Sequence, residues 1–115
     1  MNKDINVSTS QIDDVVYLDI EGDVTAVTGE VLKNAYQADN VAGASLIMLR
    51  FGKDCYINSG GLAFLIDIAS EGRKKAQKIA ATGLSDHFQK IFHMVGLTRC
   101  IGVHATEEEA LKYLK

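Results

Sequence analysis

The residues with the clearest potential for chemistry are Asn58, Ser59, Gly60 and Gly61, which lie where a largely buried helix is predicted to begin. The first backbone N–H groups of a helix have no partner within it, and the helix dipole favours negative charge there. The two glycines would also let another chain approach the backbone closely. The run therefore suits a phosphate, either bound from solution or attached to Ser59. The alternative is that Asn58 or Ser59 simply caps the helix.

Side chains for catalysis or metal binding are poorly arranged in this sequence. Ser59 does not lie within a G-x-S-x-G motif, so the strained turn that exposes a nucleophilic serine is not predicted. His87 and His93 are six residues apart on one predicted helix and point to different faces. Cys100 and His104 supply only two metal ligands, whereas zinc sites use three or four. We therefore expect no enzyme, no metal site and no cofactor.

Charge and composition exclude nucleic acid as a general partner. The 115 residues carry a formal net charge of −3, and 47% of them are hydrophobic, which is enough for one domain over residues 1–115. Nucleic-acid binding needs a basic surface. The main basic run, Arg73-Lys74-Lys75 with Lys78, is interpreted as the solvated end of a helix, where cations suit the dipole.

The sequence also favours a location in the cytoplasm. No apolar stretch follows Met1, so no secretory signal is expected. The longest strongly apolar run, residues 62–66, is too short to span a membrane. Cys55 and Cys100 form no disulfide pattern and are expected to be reduced.

Hydrophobic periodicity predicts strands that alternate with helices. Strands are predicted near residues 5–9, 16–20, 46–49, 78–82 and 101–103, and helices over residues 28–40, 59–75 and 86–95 and from residue 106 onward. Asp13-Asp14 is the predicted turn of an initial hairpin, and Thr28 and Thr106 are the predicted caps of the first and last helices. The fold class is therefore α/β, with a mixed, mostly parallel sheet, an N-terminal hairpin and four helices. Functional loops in such sheets follow the carboxyl ends of strands.

The predicted core lies between the central strand and the second predicted helix. It consists of Ile47, Leu49, Leu62, Leu65 and Ile66, because that helix is apolar nearly all round and should be mostly buried. The inner faces of the first and third helices are predicted to carry Val31, Leu32, Ala35, Phe88, Ile91, Phe92 and Val95.

Three stretches of the chain, in order and spacing, resemble the STAS domain, the fold of bacterial anti-sigma factor antagonists. Residues 22–28 (GDVTAVT) are similar to the family's GELDLAT, and residues 56–62 (YINSGGL) are similar to its FIDSSGL. The third stretch comprises GLS at 83–85, VGL at 95–97 and EEEAL at 107–111. The resemblance covers nearly the whole chain, from about Ile5 to Leu114.

The resemblance implies a protein-binding switch. In that family an anti-sigma factor that is also a serine kinase phosphorylates the second serine of the Asp-Ser-Ser-Gly motif. The unmodified domain binds this partner and frees the sigma factor, whereas the phosphorylated domain lets go. A phosphate adds about −1.5 to −2 charges at a helix N-terminus, which a close interface must desolvate.

This sequence departs from the family pattern where the switch should be. The phosphoacceptor falls on Gly60, which has no hydroxyl. Family aspartates fall on Asn58 and Thr25, and an aspartate often found at the end of the central strand falls on Arg50. Ser59 precedes the usual acceptor position, where it would serve as a displaced acceptor or only cap the helix.

The sequence thus predicts a non-catalytic domain that binds an anti-sigma factor or serine kinase and controls sigma-factor-dependent transcription. The expected contact residues are Gly22, Asp23, Thr25, Arg50, Asn58, Ser59, Gly60, Gly61 and Ser85, and Gly61→Arg is expected to block binding without unfolding the domain. One alternative is a scaffold or sensor subunit that works without phosphorylation. Another, from a different class, is a nucleotide-binding protein or enzyme that uses the turn at Asn58.

Overall fold

A five-stranded sheet with helices on both faces forms the domain. The computed structural model describes residues 5–115; residues 1–4, on which the absence of a secretory signal was predicted, lie outside them. The strands are β1 (Ile5–Ile12), β2 (Val15–Gly22), β3 (Leu46–Phe51), β4 (Lys78–Thr82) and β5 (Ile101–Val103). The helices are α1 (Gly29–Gln37), α2 (Asp39–Ala42), α3 (Ser59–Lys74), α4 (Asp86–Met94) and α5 (Glu107–Leu114), and Leu97–Arg99 forms a 3-10 turn.

The sheet has the predicted mixed topology. The strand order is β1-β2-β3-β4-β5, with β1 antiparallel to β2 and every later neighbour parallel. The hairpin turns at Asp13, which has a φ of 56°, beside the terminal pair Ile12 and Val15. The predicted α/β class and element order are confirmed. The one-turn helix α2 and the 3-10 turn are additional, because segments this short carry no readable periodicity.

The central strands β2, β3 and β4 are buried on both faces. On one face, side chains of the strands pack with α1, α3 and α4 into the main core, which includes Leu18, Ile20, Leu32, Tyr36, Ile47, Leu49, Leu65, Ile68, Phe88 and Phe92. On the other face, α5 covers a smaller core of Val15, Tyr17, Met48, Ala80, Ala110 and Leu114. Successive residues of one strand therefore serve two different helical layers.

Helix α3 is buried along one stripe and not all round. Leu65 and Ile68 are fully buried and Leu62 is half-buried, but Ile66 is 44% exposed. The predicted core position of Ile66 is therefore wrong. Adjacent residues of a helix point about 100° apart, so a helix that lies on a sheet buries Leu65 and turns Ile66 outward.

Two further residues predicted to face inward also lie at the surface. Val31 of α1 is 46% exposed and Val95, just after α4, is 45% exposed. Leu32 and Tyr36 occupy the buried face of α1, and Phe88 and Phe92 occupy that of α4. The pattern placed the helices correctly but assigned each of them too wide an apolar face.

Leu65→Ala should lower the free energy of unfolding by about 2–5 kcal/mol, because it leaves a cavity under α3. Ile66→Ala should cost less than about 1 kcal/mol, since the Ile66 side chain is already partly in water. Chemical denaturation of both variants checks this difference. Equal losses at the two positions would contradict the burial described for α3.

Candidate functional site

Two loops lie side by side at the carboxyl edge of β2 and β3. The backbone N–H of Val24 donates to the Tyr56 carbonyl at 2.8 Å, and the N–H of Asn58 donates to the Val24 carbonyl at 3.1 Å. Val24 and Ile57 thus form a parallel β-bridge, and both side chains are buried. Because side chains alternate along paired backbone, the residues on either side of Val24 and Ile57 are directed away from the core.

Asn58 caps the N-terminus of α3. Its side-chain oxygen accepts a hydrogen bond from the N–H of Gly61 at 2.8 Å, and its extended backbone is typical of a cap. Ser59 is the first residue of the helix and is exposed. Its hydroxyl forms no hydrogen bond with other residues of the 5–115 region. Of the two capping alternatives, the structure selects Asn58 and leaves Ser59 accessible.

Gly61 is required by the chain itself. The residue is buried, and a Cβ at this position would overlap the backbone carbonyl of Val24. The glycine therefore allows the loop of residues 22–28 to cross the first turn of α3. The expectation that Gly61→Arg would leave the fold intact is wrong, because the side chain would displace buried backbone and not project from an open turn.

Gly60 is also covered by this loop. A Cβ at Gly60 would lie 2.6 Å from the Cβ of Ala26 and 2.9 Å from its backbone nitrogen. Any side chain here requires the loop to move. Gly60, which the sequence resemblance predicts as the counterpart of the family's phosphoacceptor, thus lacks a hydroxyl and also lacks the space for a side chain without adjustment.

Thr25 and Thr28 hold the loop of residues 22–28 in shape. The Thr25 hydroxyl accepts hydrogen bonds from the N–H groups of Val27 and Thr28, both at 3.1 Å. The Thr28 hydroxyl accepts from the Thr25 N–H at 2.9 Å and donates to the Asp23 carbonyl. Thr28 occupies the N-cap position of α1 as predicted, but its side chain makes no cap hydrogen bond with the helix. Both hydroxyls therefore accept hydrogen bonds from backbone donors of the loop itself.

Gly22 and Asp23 begin the same loop. Gly22 has a φ of 104°, a backbone conformation that residues other than glycine rarely adopt. Asp23 is exposed. Burial, followed by the charges of Asp23 and Glu21, raises the pKa of the nearby Cys55 thiol to about 11. The thiol is therefore protonated at neutral pH and is a poor nucleophile.

Ser85 follows the carboxyl end of β4, at the same edge of the sheet. It caps α4, where its hydroxyl accepts from the Phe88 N–H at 3.3 Å. The rings of Tyr56 and Phe88 meet edge to face with centroids 5.9 Å apart, which connects the loop before α3 to the start of α4.

Arg50 does not join the other predicted contact residues. It lies on the α5 face of the sheet, where it donates to both carboxylate oxygens of Asp19 and, at 3.2 Å, to Glu107. Its guanidinium stands 4.4 Å from the centre of the Tyr17 ring. The hydrogen bonds with Asp19 raise the pKa of Arg50 further above its ordinary value. Residues 49 and 51 face the main core, so strand alternation directs Arg50 to the opposite side.

Sequence reasoning missed two exposed apolar side chains at the site. Val27 is 84% exposed and Tyr56 is 54% exposed, on the two paired loops. A signal was available, because each is an apolar residue that falls outside the periodic pattern of a strand or helix. We call the surface formed by Asp23, Thr25, Val27, Tyr56 and Ser59 the loop face.

Within residues 5–115, no three side chains of the types that bind metal ions lie close together, and Cys100 is a free cysteine. No helix in this part of the chain is long and apolar enough to cross a membrane.

Solved structures with the same fold include anti-sigma factor antagonists. An anti-sigma factor antagonist from Mycobacterium paratuberculosis superposes with a TM-score of 0.80 at 18% identity, over 96% of this chain and 93% of that one. The phosphorylated form of SpoIIAA, a cell fate determinant of Bacillus, gives 0.66 at 18% identity, over 96% and 100% of the two chains. No curated protein sequence matches the chain significantly. The family model of the STAS domain matches residues 6–110, and the chain therefore belongs to the STAS domain family.

Proposed function

We propose that this protein is a non-catalytic regulatory domain that binds a protein partner through the loop face. The partner is an anti-sigma factor that also acts as a serine kinase, and its capture controls sigma-factor-dependent transcription. The observation that carries the proposal is the exposure of Val27 and Tyr56 beside the accessible Ser59. Exposed apolar side chains on a rigid, polar-rimmed surface are typical of protein-binding sites.

The packing at the start of α3 supports a protein partner over a nucleotide. Gly60 and Gly61 leave a gap in the surface of the helix, but residues 24–26 of the same chain fill it. The N–H of Gly61 is already bonded to Asn58. A phosphate cradle needs free backbone donors around an open space, and here the glycines serve the loop.

Binding in this protein does not depend on phosphorylation at the usual position. Gly60 supplies no hydroxyl, and Ala26 lies against it. Ser59 is accessible, but its side chain points about 100° away from that of the next residue. Phosphoryl transfer relies on positioning, so a kinase adapted to the following residue presents its phosphate poorly to Ser59. The domain therefore acts as a constitutive binder.

Val27→Arg should weaken binding to the anti-sigma factor by about thirtyfold or more, because it places a charge at the centre of an apolar contact. The thermal midpoint should stay unchanged, since Val27 is 84% exposed. The measurement is isothermal titration of the purified protein with each anti-sigma factor kinase of the source organism. Met94→Arg is the matched control, because Met94 is 79% exposed on α4, outside the loop face.

The titrations separate three results. Selective loss of binding with Val27→Arg supports the proposed surface. Equal affinities for the wild type and both variants would place the contact elsewhere. Failure of every such kinase to bind the wild-type protein would overturn the proposed function.

Incubation with the binding kinase and Mg-ATP should leave the wild-type protein unmodified, as read by intact mass. Gly60→Ser should become phosphorylated, at a stability cost of about 1–3 kcal/mol from the contact with Ala26. Adding Ala26→Gly to Gly60→Ser should restore part of that stability, because it removes the Cβ that the serine meets.

The kinase experiment also decides the role of Ser59. Phosphopeptide mapping that finds modified Ser59 in the wild type, with no modification in Ser59→Ala, would contradict the proposal that binding is not controlled by phosphorylation. It would establish Ser59 as the phosphoacceptor of this protein. Binding through the loop face would stand in that case, because the titrations test it separately.

A further inference from the structure

Three cationic side chains from three different elements meet at the end of the sheet opposite the loop face. Arg73 comes from the last turn of α3, Lys78 begins β4 and Arg99 ends the 3-10 turn. With Cys100 and Tyr113 they line a cleft of about 590 Å³, here called the cationic cleft. The Lys78 ammonium stands 4.8 Å from the centre of the Tyr113 ring.

The charge of this cleft is not balanced by carboxylates of residues 5–115. Within residues 5–115, Arg73, Lys78 and Arg99 form no ion pair, whereas Lys33, Arg50, Lys75 and Lys115 each pair with a carboxylate. No aspartate or glutamate of this region lines the cleft. The whole chain has a net charge of −3, so the cleft is a local exception. Three cations around one concave surface repel one another and attract an anion.

The helix dipole does not account for the cluster. The basic run of residues 73–75 was interpreted as cations at the end of a helix, and Arg73 and Lys74 do occupy the last turn of α3. Lys78 and Arg99, however, belong to other elements and face the same cleft.

An apolar groove adjoins the cationic cleft. This groove, of about 180 Å³, shares Arg73 and Cys100 with the cleft and is also lined by Ile66, Ala69, Val95 and Leu97. Ile66 and Val95, which the sequence pattern assigned to the core, are 44% and 45% exposed here. The exposed apolar groove and the cationic cleft are therefore adjacent, and together they could accommodate a ligand with an apolar part and an anionic part.

We infer that the cleft and groove together bind a small phosphate ester with an apolar group. The two guanidinium groups and the ammonium would surround the phosphate, because arginine forks match phosphate oxygens. The apolar group would cover Ile66 and Val95 and remove their side chains from water. The cationic cleft lies at the end of the 16-residue α3, about 24 Å long, and the loop face lies at its start, while Ile66 of the groove lies midway between them.

Titration of the ¹⁵N-labelled protein with butyl phosphate, followed by NMR, tests the inference. Amide shifts should centre on Gln77, Arg99 and Cys100. Inorganic phosphate should shift the same amides with about tenfold lower affinity, because it lacks the butyl group that the groove would partly bury. No shifts with either anion, or shifts centred elsewhere, would overturn the proposed site.

Three variants assign the two halves of the site. Arg99→Gln should lower the affinity for both anions about tenfold, because one charge-assisted hydrogen bond to the phosphate is lost. Ile66→Ser should lower the affinity for butyl phosphate alone. Lys90→Gln, which removes an exposed cation from α4 away from the cleft, is the matched control and should change neither affinity.

Two results would contradict the inference even if an anion binds. Equal weakening by Arg99→Gln and Lys90→Gln would show general electrostatic attraction and no specific cleft. Equal affinities for butyl phosphate and inorganic phosphate would show that the groove contributes nothing. Neither result would bear on partner binding by the loop face, since no variant touches it.

Discussion

The backbone pairing of Val24 with Tyr56 and Asn58 is the constraint on which the carboxyl edge of the domain depends. These hydrogen bonds hold the loop after β2 against the first turn of α3, close enough that a Cβ at Gly61 would overlap the Val24 carbonyl. Buried backbone donors and acceptors must be paired, and here two loops satisfy each other. The surface that they expose is therefore held by backbone hydrogen bonds although it contains no regular strand. Loops that are fixed in this way before binding lose less entropy on binding than free loops do.

The geometry of the sheet places the ion pairs of Arg50, the loop face and the cationic cleft on three different surfaces. Alternation along β3 places Leu49 in the main core and Arg50 on the α5 face, where Asp19 and Glu107 neutralise it. The carboxyl edge carries the loop face, and the amino ends of β4 and β5 carry the cationic cleft. Helix α3 begins at the first surface and ends at the second. Arg50 is thus paired within the fold, whereas Lys78 forms no ion pair within residues 5–115 and stands over the Tyr113 ring.

Membership of a fold family does not by itself carry the family's regulation. This chain belongs to the STAS domain family, whereas the residue that the sequence resemblance predicts as the counterpart of the phosphoacceptor is Gly60. The local packing is consistent with that substitution, because Ala26 uses the space that a serine side chain would need. Thr25 likewise accepts hydrogen bonds from two backbone N–H groups, which an aspartate could also do. The departures from the family pattern are therefore compatible with a well-packed site.

The sequence by itself determined the class and order of the elements, since periodicity and turn residues are local properties of the chain. It also predicted a candidate site at the turn before α3, because polar and glycine residues interrupt the pattern there. Only the tertiary structure decided which side chains are left at the surface, such as Ile66 and Val27, and that Arg50 lies away from the site. It also showed that the glycines at the start of α3 make room for the loop of residues 22–28. Gly61 is in contact with a loop more than thirty residues earlier in the chain, and such contacts depend on strand pairing and the direction of helix packing, which no local pattern encodes.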